Sequence, residues 1–451
     1  MQDFTTGPPV RKLLIFAVPF IVSTVLQNLY GAADSVIVGR YVGETAMAAV
    51  GTTTAVTSLV LMFMSGATLG MSVVAAQFRG AGDTANLKRT VSTSMYLITL
   101  LSLLFGAVGI VLAEPLLRLI QVPPEALDDA VRYLRIIFFG SVATAYYNMA
   151  NSLSRAMGDS MTPMVVLVIA SVLNIGLNLL FVARFAMGVA GVGYATVIAT
   201  ALSAVASWAL LLRKIPLLQL RGEDWRPSLR IAGIVARVGL PSALQTSSLS
   251  LGRLLMQSMV NGFGTTVMAA FSAATKIEAF ISYPPGGITG GMQIFTGQNV
   301  GANKLERVHL GYRGAALAVL LYSVASGAVM CFFGRELVAL FDPDNVEMAR
   351  IGGIYLVWSG IGVTFCGILE LSKSTLIGAG DTASSVYATI TDMGVRLAAA
   401  FFLSRTAGLG YVGLFLGTPI GWLVASALSY GIYKQGRWKR KRIAAQTPPT
   451  A

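Results

Sequence analysis

Apolar stretches long enough to cross a membrane, of about 20 to 30 residues each, recur along the whole sequence between short polar loops. At a rise of about 1.5 Å per residue, each stretch can span a hydrocarbon core of roughly 30 Å. Only 12% of the 451 residues are charged, against roughly 25% in an ordinary soluble domain. Because backbone groups within a bilayer must be hydrogen-bonded internally, the stretches are predicted to be helices. The sequence therefore predicts an all-α integral membrane protein.

Twelve helical spans are predicted from the positions of these stretches. Most of the 33 Lys and Arg residues fall in loops on one side of the membrane when the N-terminus is placed inside. Because basic residues accumulate in cytoplasmic loops, both termini are predicted to be cytoplasmic. This topology accounts for the net charge of +13, and we expect no nucleic-acid partner. The spans lie near residues 13–36, 46–77, 91–113, 131–154, 162–184, 189–212, 231–260, 266–298, 309–333, 348–373, 383–404 and 409–433.

The two halves of the sequence resemble each other at an offset of 220 to 222 residues. Pro19 falls on Pro241, and "AMGD" (156–159) falls on "GAGD" (378–381). Each copy has six helices, an even number, so both copies start on the same side and the repeat is parallel. The predicted fold is two pseudo-symmetric six-helix bundles.

The repeat and its loops also predict the domain limits. The segment between the copies, "RKIPLLQLRGEDWRPSLR", is too polar to span a membrane and is predicted to lie along the inner interface. The N-terminal lobe is predicted at 1–212, this linker at 213–230, the C-terminal lobe at 231–433 and a basic cytoplasmic tail at 434–451.

Asp34 is the only carboxylate within the predicted spans of the first copy. A charge within the bilayer costs about 2.5–3.5 kcal/mol on insertion scales, so Asp34 is a candidate functional residue. Leu255 occupies the repeat position, so the duplication does not require the charge. Asp34 lies roughly 30 Å along its helix, which leaves two interpretations. It is either a shallow residue that reaches outside water or an inward-facing carboxylate that takes up H⁺ or Na⁺ in a polar chamber.

Polar side chains on other helices of the first copy favour the polar chamber. Asn174 and Asn178 lie one turn apart on one helical face, and Thr196 lies on the next helix. Gln27 and Asn28 add amides to the first helix. Carboxylate, amide and hydroxyl oxygens suit Na⁺ or a hydrogen-bonded proton. Interhelical hydrogen bonding is the alternative explanation for each asparagine taken alone.

The second copy carries charges of both signs within its spans. Arg396 occupies the repeat position of Asn174, and Asp392 precedes it by one turn, which predicts an i, i+4 ion pair. Charge pairing that holds helices together is the simpler explanation for these two residues. Glu278 and Glu370 are better candidates for contacting a cationic substrate. Candidates for a substrate chamber are Gln27, Asn28, Arg253, Lys276, Glu278, Glu370, Asp392 and Arg396.

Other chemistries find little support in the sequence. Cys331 and Cys366 lie in apolar stretches, which predicts neither a disulfide framework nor a CxxC metal site. His309, the only histidine, is predicted to be a surface residue without a ligand role. No nucleotide-binding loop, catalytic triad or metal-ligand spacing occurs, so we do not expect an enzyme.

Several short motifs occur in a fixed order on the two repeats. They are "PFIVSTVLQNLYGAADSVIVGR" in the first helix, "GAGDT" with its partner "AMGDS", "FTGQNVGANKLERV", and "MGVAGVGYATVIAT" at the start of the sixth helix. Each motif is weak alone. Their order and spacing over nearly the whole chain resemble the multidrug and toxic compound extrusion (MATE) transporters.

The resemblance implies two six-helix lobes that alternate access across the membrane and export organic cations against H⁺ or Na⁺ entry. In similar transporters a carboxylate on the first helix belongs to a cation site in the N-terminal lobe, and the matching positions here are Asp34, Asn174, Asn178 and Thr196. Asn178 stands where many members have a second carboxylate, so Asp34 would carry the charge of the site alone. An amide can ligate Na⁺ through its oxygen but accepts no proton near neutral pH.

We therefore expect a secondary antiporter of the prokaryotic plasma (inner) membrane that works as a monomer on small organic cations or amphiphiles. H⁺ or Na⁺ would be its coupling ion, with Asp34 as the metal ligand in the case of Na⁺, and no further cofactor is expected. The alternative is a flippase for a lipid-linked or anionic amphiphilic substrate, which would use Arg253, Lys276 and Arg396 in its chamber. A channel is less consistent with the sequence, because nothing resembles a selectivity filter.

Overall fold

The computed structural model describes residues 2–446, which form helices and loops without a β-strand. The helices of the first half are α1 (Pro9–Tyr41), α2 (Glu44–Ala81), α3 (Thr84–Leu119), α4 (Pro124–Phe139), α5 (Ser141–Ala156), α6 (Met161–Asn178) and α7 (Gly188–Lys214). Those of the second half are α8 (Leu229–Asn261), α9 (Thr265–Ile281), α10 (Tyr283–Gly301), α11 (Leu305–Ala339), α12 (Val346–Gly378), α13 (Thr382–Phe401) and α14 (Gly410–Gln435). Short helical turns lie between α7 and α8, at Pro216–Leu218 and Gly222–Trp225, and after α14, at Arg437–Arg440 and Ile443–Gln446.

Two spans that were predicted as continuous helices are broken in the structure. The predicted helix 131–154 is divided at Gly140, between α4 and α5, and the predicted helix 266–298 is divided at Ser282, between α9 and α10. Prolines occupy the second and third positions of α10. Proline lacks a backbone N–H and is favoured in the first turn of a helix, whereas an interior proline removes a hydrogen bond and bends or breaks the helix, so the pair favours a new helix start there.

Each broken helix counts as one span, so six spans lie in each half of the chain. Within the residues that the structure describes, eight helices are long and apolar enough to cross a membrane by length and composition. The other four spans are α2, α8 and the two broken helices. The all-α membrane fold with two related six-span halves is therefore confirmed.

The backbone geometry repeats in the two halves. A π-helical turn ends the fifth span of each half, at Leu179–Arg184 and at Phe402–Thr406. Glycines with left-handed φ angles recur at the repeat offset, a conformation that glycine adopts at low cost. The pairs are Gly43 (113°) with Gly264 (94°), Gly158 (85°) with Gly380 (88°), and Gly188 (58°) with Gly410 (57°).

The first copy of the "GD" motif supports a helix start. Asp159 accepts hydrogen bonds from the backbone N–H of Thr162 (3.0 Å) and from its hydroxyl (2.6 Å) at the start of α6. The ammonium group of Lys214 lies 3.4 Å from the same carboxylate. Burial alone would raise the pKa of Asp159, but these hydrogen bonds and Lys214 hold it below its usual value. The first copy of the motif is therefore explained as a helix cap, whereas Asp381 of the second copy accepts a hydrogen bond from the Ser384 hydroxyl.

Spatial contacts divide the chain into two compact units. The first consists mainly of Val22–Ala243, and the second of Phe4–Ile21 with Leu244–Gln446. Within the second unit, the ring of Phe4 packs edge-on against the rings of Phe16 and Phe295 at centroid distances of 5.3 and 5.7 Å. The lobes predicted at 1–212 and 231–433 follow the sequence repeat, whereas the units divide within α1 and within α8.

The predicted linker and tail fold against these units. In the linker, Asp224 forms a 2.8 Å ion pair with Lys88 of the first unit. In the tail, the side chain of Trp438 is fully buried within the second unit, and Arg442 donates a 2.8 Å hydrogen bond to the carbonyl of Gly301. The last part of the predicted tail, 447–451, lies outside the described residues.

Candidate functional site

The first unit brings together Asp34 and its predicted partners. Asp34 lies on α1, Asn174 and Asn178 on α6, and Thr196 on α7. Both asparagines are completely buried. The amide nitrogen of Asn178 donates to Asp34 Oδ1 at 2.8 Å and to Asn174 Oδ1 at 2.7 Å. The Asn178 amide therefore links Asp34 on α1 to Asn174, one turn earlier on α6. The functional role of these residues stays a prediction.

Tyr30 completes the arrangement. The amide nitrogen of Asn174 lies 3.5 Å from Thr196 Oγ1, and the Tyr30 hydroxyl hydrogen-bonds with both Thr196 and Asp34. We call these five side chains the Asp34 ring. Sequence reasoning missed Tyr30, although it lies one turn before Asp34 and therefore on the same helical face.

The Asp34 ring has one negative group and one unused acceptor. Asn178 Oδ1 is buried and has no hydrogen-bond partner among the described residues. No Lys or Arg forms an ion pair with Asp34 within that part of the chain. An unsatisfied buried acceptor costs about 1–3 kcal/mol. A cation or a donated proton next to this oxygen would remove that cost.

The oxygen atoms of the ring fit a small hard cation. The Asp34 carboxylate, Asn178 Oδ1 and the hydroxyls of Thr196 and Tyr30 are the donor types that such cations prefer. In residues 2–446, no group of three or more His, Cys, Asp and Glu side chains could hold a metal ion. A cation bound at this ring would therefore be neutralised by a single carboxylate.

The second half of the chain does not repeat the ring. At the repeat positions, Leu251 and Leu255 replace Tyr30 and Asp34, and both leucines are exposed. Arg396 replaces Asn174. The polar arrangement is therefore a property of the first copy.

A different polar cluster occupies the second unit. Glu278 on α9 accepts 2.6 Å hydrogen bonds from the hydroxyls of Tyr355 and Ser359 on α12. Arg396 forms the predicted i, i+4 ion pair with Asp392 at 3.0 Å, so that prediction is confirmed. The pair lies within α13 and does not itself join two helices, contrary to the simpler explanation. The link to α14 comes from Trp422, whose ring lies 5.3 Å from the guanidinium carbon of Arg396.

The remaining candidates for the substrate chamber belong neither to the Asp34 ring nor to the polar cluster around Glu278. Glu370 forms a 2.6 Å ion pair with the buried ammonium group of Lys373. Lys276 is exposed, with its ammonium group 5.9 Å from the Phe341 ring, and Arg253 is also exposed. Gln27 and Asn28 are exposed on α1, where the Asn28 amide donates a hydrogen bond to the backbone carbonyl of Thr24.

His309 is partly exposed, but its imidazole also makes contacts that the prediction of a surface residue did not include. Its imidazole is half-buried, with Nδ1 2.6 Å from the Tyr433 hydroxyl. The ring also packs edge-on against Trp438 at a centroid distance of 5.6 Å. The sequence could not reveal this contact, because it joins residues more than a hundred positions apart.

Comparison with known proteins fixes the family. The family model described as MatE matches residues 19–180 and 241–428, which include most of both copies of the repeat. This chain belongs to the MATE family. Its members are transporters, so the expectation that the chain is not an enzyme is confirmed.

The probable multidrug resistance protein YpnP of Bacillus subtilis is 28% identical over 445 residues, covering 98% of each chain. The probable multidrug resistance protein NorM of Thermotoga maritima is 26% identical, covering 97% of this chain and 95% of its own.

Solved MATE structures share the fold. A MATE transporter in the bent conformation superposes with a TM-score of 0.91 at 23% identity, covering 98% of each chain. The outward-facing conformation of a multidrug resistance MATE family transporter gives a TM-score of 0.85 at 24% identity, covering 99% of this chain and 98% of the other. The twelve-span fold predicted from the repeats is therefore the fold of the MATE family.

Proposed function

We propose that this MATE transporter is a secondary antiporter that exports organic cations in exchange for H⁺ or Na⁺, with Asp34 as the coupling carboxylate. The Asp34 ring carries this proposal, because it surrounds one carboxylate with neutral donors and leaves one buried acceptor unused. The multidrug resistance names of the relatives support drug export. Export in exchange for an ion would occur across a bacterial plasma membrane, with both termini in the cytoplasm and the chain acting as a monomer.

Proton coupling would act through the hydrogen bonds of the ring. The charged Asp34 carboxylate accepts from Asn178 and Tyr30. A protonated carboxyl donates one hydrogen bond, and Asn178 Oδ1 is the acceptor within the ring that has no partner. Proton uptake therefore changes which groups donate across α1 and α6. An ion shifts a transporter between states only if it binds them unequally, and such a rearrangement would provide the difference.

Sodium coupling would use the same oxygens. Asp34, Asn178, Thr196 and Tyr30 would hold the ion, and its charge would compensate the carboxylate. Asn178 stands where many members of the family have a second carboxylate. Its amide accepts no proton near neutral pH, but its oxygen can still ligate sodium. Either ion therefore suits the ring.

The carboxylates of the second unit would serve the substrate. Glu278 is held by two hydroxyl donors, and the side chain of Glu370 is 45% exposed beside Lys373. A flippase for an anionic substrate is not favoured. Of the three basic residues that it would need, Arg396 is neutralised by Asp392, and Arg253 and Lys276 lie on exposed surfaces.

Ethidium efflux in energised everted vesicles tests the proposal. Asp34→Asn should abolish efflux while the purified variant still binds ethidium and keeps its unfolding temperature. Asp344→Asn removes the same charge from an exposed loop residue and should behave as wild type. Normal efflux by Asp34→Asn, or flipping of a lipid-linked sugar without ethidium transport by the wild type, would contradict the proposal.

A further inference from the structure

The second unit contains a cavity of about 730 Å³ between the start of α11, α12 and the end of α14. It is separate from the polar cluster around Glu278, whose residues do not line it. Glu306 and Ala316 mark its extent along α11, a distance of about 15 Å at the helical rise. It therefore extends from the helix ends, where the basic tail begins, into the apolar part of the unit.

Aromatic side chains form one wall of this cavity. The rings of Tyr312 and Tyr433 stack at 4.1 Å, and the buried ring of Trp438 continues the stack at 5.8 Å from Tyr433. The ammonium group of Lys434 lies 5.6 Å from the centre of the Tyr430 ring. The wall therefore holds the first residues of the tail in a fixed position beside α11.

The charge at the helix-end side of the cavity is mainly positive. Arg313, Lys434 and Lys439 all act electrostatically on the half-buried His309, and Glu306 is the carboxylate that opposes them. The hydroxyls of Tyr433 and Tyr312 are already paired with His309 and Ser372. The deeper lining is apolar, with Leu310, Ala316 and Ile368. The cavity is thus basic at the helix ends and apolar towards the middle of the spans.

The first copy lacks this arrangement. At the repeat offsets of 221 and 222 residues, Val91 stands for Tyr312, Ser92 for Arg313 and Leu211 for Tyr433. The shared scaffold of the two lobes therefore does not require the aromatic and basic residues of the cavity.

We propose that this cavity binds an anionic phospholipid, with the headgroup phosphate at Arg313 and Lys434 and an acyl chain along Leu310, Ala316 and Ile368. Basic pockets at the cytoplasmic side of membrane proteins bind anionic headgroups, and aromatic side chains favour the same depth. The apolar depth of the cavity distinguishes a lipid from a free phosphate, because a soluble anion would leave that lining without a partner.

Native mass spectrometry of the delipidated full chain in detergent tests this proposal. The probes are dioleoyl phosphatidylglycerol, phosphatidylcholine with the same acyl chains, and sn-glycerol 3-phosphate. Arg313→Gln with Lys434→Gln should weaken phosphatidylglycerol binding by about fivefold per cation, or on the order of 25-fold together. Arg437→Gln with Arg440→Gln removes the same charge from exposed tail residues outside the cavity and should change binding by less than about twofold.

Each outcome decides the proposal. Selective loss of phosphatidylglycerol in the cavity variant, with weak phosphatidylcholine binding, supports it. Equal loss in both variants would show general attraction to basic residues and would overturn it. Glycerol phosphate binding as tight as that of the lipid would also overturn it, since the cavity would then bind a soluble anion. If the double variant has a lowered unfolding temperature, Lys434→Gln alone should still show the fivefold loss.

Discussion

Replacing Asn178 with Ala should change the binding of the two candidate coupling ions in opposite directions. The substitution removes the 2.8 Å hydrogen bond to Asp34 and also removes the unpaired Asn178 Oδ1. Loss of the hydrogen bond to the charged carboxylate costs about 1.5–3 kcal/mol, and loss of the neutral Oδ1 acceptor for the protonated carboxyl offsets about 0.5–1.5 kcal/mol of this, so the ionised form is disfavoured by about 1–1.5 kcal/mol. At about 1.4 kcal/mol per pH unit, proton loading of Asp34 should move to a pH higher by roughly 1 unit. Sodium binding should weaken, because the ion loses an oxygen ligand.

Ethidium efflux from proteoliposomes measures both effects. One series varies the outer pH without sodium, and a second varies sodium at fixed pH. If pH drives transport, we expect the half-maximal pH of the variant to rise by roughly 1 unit. If sodium drives transport, we expect its half-saturating sodium concentration to rise by about tenfold or more.

A matched control separates this effect from a general loss of packing. Asn151 is a buried amide of the same unit that hydrogen-bonds with Tyr147, so Asn151→Ala should leave both midpoints unchanged. The reasoning is refuted if the folded Asn178→Ala variant keeps the wild-type midpoint in both series, because Asn178 would then not contribute to the coupling site.

Three further predictions concern stability. Because the folded pKa of Asp159 is lowered, the charged carboxylate stabilises the fold above its usual pKa of 3.8, and this contribution is lost as the pH falls through the folded pKa. Asp159→Asn should therefore flatten the decline of the unfolding temperature below about pH 4. Equal acid sensitivity of the wild type and the variant would contradict this. A Cβ at Gly327 would overlap a backbone carbonyl of α12, so Gly327→Ala should cost about 1–3 kcal/mol in thermal unfolding, whereas Gly233→Ala meets no atom within 4 Å and should cost little. Tyr355→Phe removes a 2.6 Å hydrogen bond to Glu278, and an unfolding free energy lower by about 1.5–3 kcal/mol is expected in denaturant titration.

Much of the fold is contained in local sequence patterns. Apolar stretches of spanning length predict the helices, and the repeat offset predicts two equivalent halves, which the recurrent left-handed glycines display directly. The breaks at Gly140 and Ser282 are harder to predict, because a glycine or a proline pair within a long apolar run is also compatible with a continuous, bent helix.

The candidate sites depend more on tertiary contacts. Helical spacing predicts that Asn174 and Asn178 lie on one face of their helix, and it also predicts the Asp392–Arg396 ion pair. The contact of Asn178 with Asp34 needed the packing of α1 against α6. The stacking of His309 with Tyr433 needed the tail to fold back, which no local periodicity indicates.

The central claim is that Asp34 carries the coupling charge, and the most direct test is transport under one gradient at a time. Ethidium efflux should be measured in proteoliposomes of the wild type and of Asp34→Asn, first under a pure pH gradient and then under a pure sodium gradient. We expect the wild type to transport under at least one gradient and the variant under neither, although the variant still binds ethidium. Wild-type efflux by Asp34→Asn under the gradient that drives the wild type would contradict the account.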